Sequence, residues 1–124
     1  MSVFIVFAHG SSIESANDAV RAVAREAAKK GNWRAFSASF LESGRPSLAE
    51  AVENFVAAGE AHFIVVPYFL TAGLHLQRDL PQLISSIKRA HPNIELNVTA
   101  PLDGHPAMAD ALVDRAKQLE CKPA

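Results

Sequence analysis

Apolar and polar positions along the chain follow two periods. Four short runs read as strands, at about residues 3–8, 33–40, 61–68 and 93–99. The first, Val3-Phe4-Ile5-Val6-Phe7-Ala8, and the third, Phe63-Ile64-Val65-Val66-Pro67-Tyr68, are almost unbroken apolar stretches. Strands covered by helices on both faces have this character. The second, Trp33-Arg34-Ala35-Phe36-Ser37-Ala38-Ser39-Phe40, and the fourth, Asn93-Ile94-Glu95-Leu96-Asn97-Val98-Thr99, alternate more and are expected at the sheet edges.

Between the strands the period lengthens to that of a helix. Ala16, Ala19, Val20, Val23, Ala24 and Ala27 form one apolar face, stopped by Gly31 after Lys29-Lys30. A second helix carries Leu48, Val52, Phe55 and Val56 and ends at Gly59. Its start, Ser47-Leu48-Ala49-Glu50, matches a capping box, in which hydroxyl and carboxylate satisfy free backbone donors reciprocally. A third carries Leu80, Leu83, Ile84 and Ile87, with Pro81 expected in its first turn and His91-Pro92 at its end. The fourth carries Met108, Leu112, Ala116 and Leu119 after His105-Pro106.

Four strand–helix units in alternation predict an α/β fold, a parallel sheet with right-handed crossovers. Placing the two apolar strands at the centre gives the order 2-1-3-4, a flavodoxin-like arrangement with helices on both faces. The switch point then lies between strands one and three, and ligands of open α/β sheets bind outside the carboxyl ends of the strands at such a point. His9 follows the first strand, and His75 follows the third after Phe69-Leu70-Thr71-Ala72-Gly73-Leu74. The predicted topology brings two imidazoles to one edge.

Composition narrows the classes. At 124 residues the chain is expected to be one domain, 1–124, with a single core. Apolar residues make up 49% and charged residues 20%, the balance of a globular protein. Lys+Arg 12 against Asp+Glu 13 leaves no basic footprint for nucleic acid and no polybasic run for a membrane surface. Cys121 is the single cysteine, so no intrachain disulfide or cysteine-based zinc site can form. Residues 3–8 are too short for a signal or membrane-spanning segment. These features together predict a cytoplasmic protein.

Each strand exit carries groups able to do chemistry. His9-Gly10-Ser11-Ser12 follows the first, and Leu41-Glu42-Ser43-Gly44-Arg45-Pro46 the second. Thr71 to His75, then Arg78 and Asp79, follow the third, and Pro101-Leu102-Asp103-Gly104-His105 the fourth. Two imidazoles and the Glu42 carboxylate can bind a divalent transition metal with positions left open. The same groups can accept protons near neutral pH. Arg45 and Arg78 are placed to pair with substrate carboxylates, though ordinary surface charge explains them equally well. The Gly10-Ser11-Ser12 turn can cradle an anion at the start of the first helix, without either of the glycine-rich phosphate patterns. His62 precedes the third strand and His91 ends the third helix, both at the opposite edge. His105 is at the edge of interest, but its place before Pro106 also fits helix initiation. A histidine at a strand end can also be a loop residue bonded to backbone; the shared edge is what favours function for His9 and His75.

At these residues the chain resembles the short-form class II tetrapyrrole chelatases, the sirohydrochlorin cobaltochelatases of the CbiX type, with sirohydrochlorin ferrochelatases as close relatives. The matching pieces are Phe7-Ala8-His9-Gly10-Ser11, Phe40-Leu41-Glu42 and the longest, Val65-Val66-Pro67-Tyr68-Phe69-Leu70-Thr71-Ala72-Gly73-Leu74-His75, continuing to Asp79-Leu80-Pro81. Pro101-Leu102 and His105-Pro106 fit the last segment. The resemblance implies a chelatase-like domain that inserts a divalent metal into sirohydrochlorin, on the way to cobalamin or sirohaem. It implies that His9 and His75 lie at the metal and the pyrrole nitrogens, with Glu42 as the family's acid; Ser11, Arg45 and Arg78 are candidate substrate contacts from their place at the strand exits alone. It implies no organic cofactor; Co2+, or Fe2+ or Ni2+, is itself a substrate. The chain is about half as long as the two-lobed chelatases, so a homodimer that completes the cleft is expected. Ser12 stands where relatives often carry a basic residue, and no histidine-rich tail is present. Two other readings compete. A metal or tetrapyrrole carrier needs the same ligands without turnover. A phosphoryl-transfer enzyme with His9 as nucleophile would need the arginines that this segment lacks.

Overall fold

The structure is a computed structural model, and it describes residues 1–70 and 73–120. The strands are β1 (Val3–Ala8), β2 (Ala35–Phe40), β3 (His62–Pro67) and β4 (Glu95–Val98). The helices are α1 (Glu14–Gly31), α2 (Leu48–Ala57), α3 (Leu74–Ala90) and α4 (Pro106–Glu120). All strand pairings are parallel, in the order β2-β1-β3-β4. The two apolar runs are therefore the central strands and the alternating runs the edges, as their patterns predict. No helix among the described residues is long and apolar enough to cross a membrane.

One face of the sheet is finished. Val3, Ile5 and Phe7 of β1, Phe63 and Val65 of β3 and Leu96 of β4 form a core with Leu48, Ala51 and Val52 of α2 and Leu76 and Ile87 of α3. Each large side chain buried here contributes about 1.5–3 kcal/mol relative to exposure. The Ser47–Glu50 capping box that starts α2 is fully formed, with Ser47 Oγ accepting from the Glu50 N–H and the Glu50 carboxylate accepting from the Ser47 N–H. On the other face α1 covers β1 and β2, where Val6, Ala8, Ala24, Ala38 and Phe40 pack together.

Three helices depart from expectation. The buried face of α1 is Asn17, Ala24 and Ala28, while Ala16, Ala19 and Val23, placed in the core by periodicity, are exposed. Alanine and valine occur on both flanks of this helix, so the pattern alone does not select one. The stop is made by Asn32, which takes the left-handed conformation (φ 55°) and caps the carbonyls of Ala28 and Lys29. Gly31 is still needed, because a Cβ there would lie 2.6 Å from Trp33 Nε1. Helix α3 begins at Leu74, so Pro81 is inside it rather than in the first turn and gives the Gln77 carbonyl no intrahelical donor. Helix α4 buries none of its residues.

Candidate active site

The carboxyl edge of the sheet is assembled by hydrogen bonds that continue the β1–β2 ladder beyond its last residues. The Leu41 N–H donates to the Ala8 carbonyl (2.9 Å) and the Glu42 N–H to the His9 carbonyl (3.0 Å). His9 and Glu42 thus become neighbours although both lie outside regular strand. The approach requires glycine at position 10, which has φ +92° and whose Cβ would lie 1.8 Å from the Glu42 carbonyl oxygen.

His9 Nε2 stands 3.4 Å from Glu42 Oε1, with both side chains open to solvent (61% and 63%). The other ring nitrogen, Nδ1, is 3.2 Å from the Gly10 carbonyl. A carbonyl only accepts, so Nδ1 is the donor in this bond, and Nε2 is the ring nitrogen that faces the Glu42 carboxylate. An imidazole nitrogen and a carboxylate oxygen that face each other across an open gap can share a divalent cation or pass a proton. Phe69 closes one side, its ring edge-on to His9 at 6.5 Å between centroids.

The two loops carrying this pair are joined by Asn17, a residue the sequence patterns did not single out. It is 1% exposed on the buried face of α1. Its Oδ1 accepts from the Ser11 N–H (2.9 Å), and its Nδ2 donates to the carbonyls of Ser11 (2.9 Å) and Ser43 (3.2 Å) and to Glu14 Oε2 (3.3 Å). Buried polar groups need partners, and here the partners are the backbone next to both site residues. Gly44 leaves the room, since a Cβ there would lie 2.8 Å from the Phe40 ring and 3.1 Å from Asn17 Nδ2. The available signal in the sequence was one amide among alanines on a helix face. Outside this clamp, Arg21 holds Glu14 and Asp18 (both 2.7 Å), donates to the Arg45 carbonyl and lies over the Phe40 ring. The Arg21 guanidinium and the Asn17 amide hold the Glu14 carboxyl below its usual range.

The remaining candidates are more scattered. His75 lies in the first turn of α3 rather than in a loop before it; its side chain, with Thr71 and Ala72, is outside the described residues. Ser11 Oγ accepts from the Ile13 N–H (3.0 Å), which commits one lone pair to shaping the turn. The Arg45 side chain is paired with Glu50, and Arg78 lies 3.7 Å from its neighbour Asp79. His105 Nδ1 accepts from the Ala107 N–H (3.0 Å) and so starts α4. His62 pairs with Glu95 (2.9 Å) at the amino ends of β3 and β4, and the His91 backbone caps α3, both at the opposite edge as the topology predicts. Among the described residues no group of three metal-ligating side chains converges. An apolar groove of about 380 Å³, lined by Pro67, Leu76, Leu80, Ile84, Val98 and Pro101, opens beyond the ends of β3 and β4.

A parallel 2-1-3-4 sheet with an imidazole and a carboxylate paired at its carboxyl edge defines a chelatase-like α/β lobe. The CbiX family model matches residues 3–119, and the chain belongs to this family. The sirohydrochlorin cobaltochelatase of Methanosarcina barkeri is 31% identical over 111 residues, covering 88% of this chain and 85% of the relative. The cobalamin (vitamin B12) biosynthesis CbiX protein of Marinobacter aquaeolei VT8 superposes with a TM-score of 0.86 at 28% identity, over 98% of this chain and 100% of the other. The sirohydrochlorin chelatase SirB of Bacillus subtilis subspecies spizizenii, solved in complex with cobalt, superposes with a TM-score of 0.83 at 25% identity. That match covers 94% of this chain but 50% of SirB.

Proposed function

We propose that this chain is a sirohydrochlorin cobaltochelatase, which inserts Co2+ into the macrocycle as a step of cobalamin biosynthesis. The observation that carries the reading is the His9–Glu42 pair, built at the switch-point edge of a chain whose relative from Methanosarcina barkeri bears that name. Insertion exchanges two pyrrole protons for one divalent ion. It requires an ion stripped of part of its water shell, acceptors for two protons, and a ring held far enough out of plane to expose nitrogen lone pairs. His9 Nε2 supplies a neutral donor that can replace a water on the ion. Glu42 supplies a negative oxygen beside it, able to steady the ion or take a proton. His75, on the first turn of α3, is the third member, and Phe69 limits how the ring approaches His9. Ser11, Arg45 and Arg78 are assigned to the substrate's carboxylates, for which Arg45 must give up Glu50 and Arg78 must turn from Asp79. No organic cofactor has a part in this scheme; the metal is a substrate.

The working unit is a homodimer. A single 124-residue lobe leaves one side of a tetrapyrrole uncovered, and SirB carries about twice this chain's length. Two copies with their carboxyl edges together supply the missing wall. The enzyme works in the cytoplasm, a placement supported by its lone cysteine.

The test is an anaerobic visible-spectrum assay of sirohydrochlorin with Co2+, Fe2+ and Ni2+ in turn. Co2+ is expected to be inserted fastest, and His9→Ala and His75→Ala to slow insertion by about 10²-fold or more while remaining folded. Faster insertion of Fe2+ would move the protein to sirohaem synthesis. Binding of both substrates with no acceleration over the uncatalysed rate would make it a carrier.

A further inference from the structure

Arg21, Arg45 and Arg78 lie near the carboxyl edge, and each faces a carboxylate. Arg21 holds Glu14 and Asp18 (both 2.7 Å), Arg45 is paired with Glu50, and Arg78 lies 3.7 Å from Asp79. Glu42 is the exception. Among the described residues the ionisable group within ion-pair distance of it is His9, at 3.4 Å. The Glu42 side chain is open to solvent, yet no guanidinium of the described residues is on it. Arg45 is only three residues further along the same loop. Three residues span at most about 11 Å. The Phe40 N–H bond to the Pro46 carbonyl (2.9 Å) closes the loop further, so a glutamate and an arginine side chain could bridge the gap.

Arg45 turns the other way because its surroundings are fixed in advance. Its carbonyl accepts from the Arg21 guanidinium (3.0 Å), which sets the backbone of the loop. Its own guanidinium then meets the Glu50 carboxylate, which the capping box of α2 already holds. Glu50 Oε1 accepts from the Ser47 N–H (2.9 Å), and Oε2 is the oxygen paired with Arg45. The Ser47 N–H and the Arg45 guanidinium keep the Glu50 carboxyl below its usual range, so it is ionised at neutral pH. A carboxylate whose rotamer the cap has selected loses little further freedom on pairing, whereas Glu42 would have to be ordered at a cost in side-chain entropy. Arg21 is no competitor for Glu42, since two carboxylates and a carbonyl occupy its donors.

We infer that Glu50 is a positioning residue for metal capture: it holds Arg45 away from Glu42 and so keeps the Glu42 carboxylate open to the ion. The inference rests on the His9–Glu42 reading above and deepens it by naming what leaves that acid free. A guanidinium on Glu42 would occupy the oxygens the ion needs and set a positive charge beside a dication. One residue thus serves the helix and the site together, capping α2 with one oxygen and restraining Arg45 with the other. Carboxylates of an arriving macrocycle can draw Arg45 from Glu50 without returning it to Glu42.

The test titrates Co2+ alone, without the macrocycle, into the wild type, Glu50→Gln, Glu50→Gln/Arg45→Met and Glu42→Gln by calorimetry, with folding checked by circular dichroism. Glutamine keeps an oxygen for the Ser47 N–H and loses the charge that holds Arg45. Glu50→Gln is expected to raise the Kd for Co2+ about fivefold, the reach of one competing surface ion pair, and Arg45→Met in the same chain to restore it. In insertion assays Glu50→Gln should raise the KM for Co2+ by a similar factor, with kcat recovered at saturating metal. A Kd unchanged in Glu50→Gln, beside a weakened Glu42→Gln, would overturn the inference alone. So would a loss that persists in Glu50→Gln/Arg45→Met, because the effect would then run through the start of α2. Co2+ binding by Glu42→Gln as tight as by the wild type would overturn the His9–Glu42 reading and the inference with it.

Discussion

The β1–β2 half and the β3–β4 half of this sheet differ in how far the chain completes them. In the first half the strand ladder runs on into the loops, Asn17 ties both loops to α1, and two glycines admit close approaches that no other residue allows. His9 and Glu42 are held by backbone on every side although their side chains are exposed. In the second half the exposed face of β4 carries Glu95 and Asn97, and α4 buries none of its residues. The proposed His9–Glu42 centre is thus positioned by the half whose loops are tied to the sheet and to α1.

That contrast can be broken at several points. The largest effect is expected at Gly10→Ala, where a Cβ must displace the Glu42 backbone and adopt a positive φ; a loss of about 3 kcal/mol or more by urea denaturation is predicted, with insertion abolished. Asn17→Ala comes next. It strands the Ser11 N–H and the Ser11 and Ser43 carbonyls together, and should cost about 2–3 kcal/mol in the same titration. The surviving folded fraction should insert metal more slowly, because both loops are released. Leu119→Ser, on α4, should leave the monomer's own unfolding free energy within about 0.5 kcal/mol, since this side chain is largely in water. A loss as large as that of Asn17→Ala would show that α4 is packed within its own chain.

The smallest effect concerns acid. The Glu50 carboxyl is held below its usual range, first by the Ser47 backbone N–H and then by the Arg45 guanidinium. A carboxyl lowered in the folded state stabilises at neutral pH, and that contribution fades as pH falls through its folded value. Glu50→Gln should therefore flatten the acid side of the melting-temperature profile by lowering the neutral and alkaline plateau while leaving the most acidic points unchanged, by a small margin because the group is exposed.

Much of this was legible in the chain. The apolar runs Val3–Ala8 and Phe63–Tyr68 identified the central strands, and with them the edge that carries His9 and Glu42. Ser47 and Glu50 announced α2 by their chemistry. What stayed hidden had physical reasons. Pro81 pointed to a helix start, yet the first turns of α3 lie ahead of it, because packing of Leu76 and Leu80 outweighs the hydrogen bond lost at Gln77. Asn17 reads as a weak helix former until its three backbone partners are seen. The stripe on α4 is the same whether the helix buries it in its own chain or in another, so periodicity predicts a partner without naming it. Sequence spacing also says nothing of how Arg45 and Arg78 are engaged, since both are held by nearby carboxylates.

The most direct test of the account is a double-mutant cycle on the central pair. Initial rates of Co2+ insertion into sirohydrochlorin are measured for the wild type, His9→Ala, Glu42→Gln and the double variant, with folding checked by circular dichroism. If the two side chains act on one ion as a unit, each single change should cost about 10²-fold or more, and the double variant little beyond the worse single one. Wild-type rates in both single variants, or losses that simply multiply in the double variant, would contradict the pairing of His9 with Glu42 as the centre of insertion.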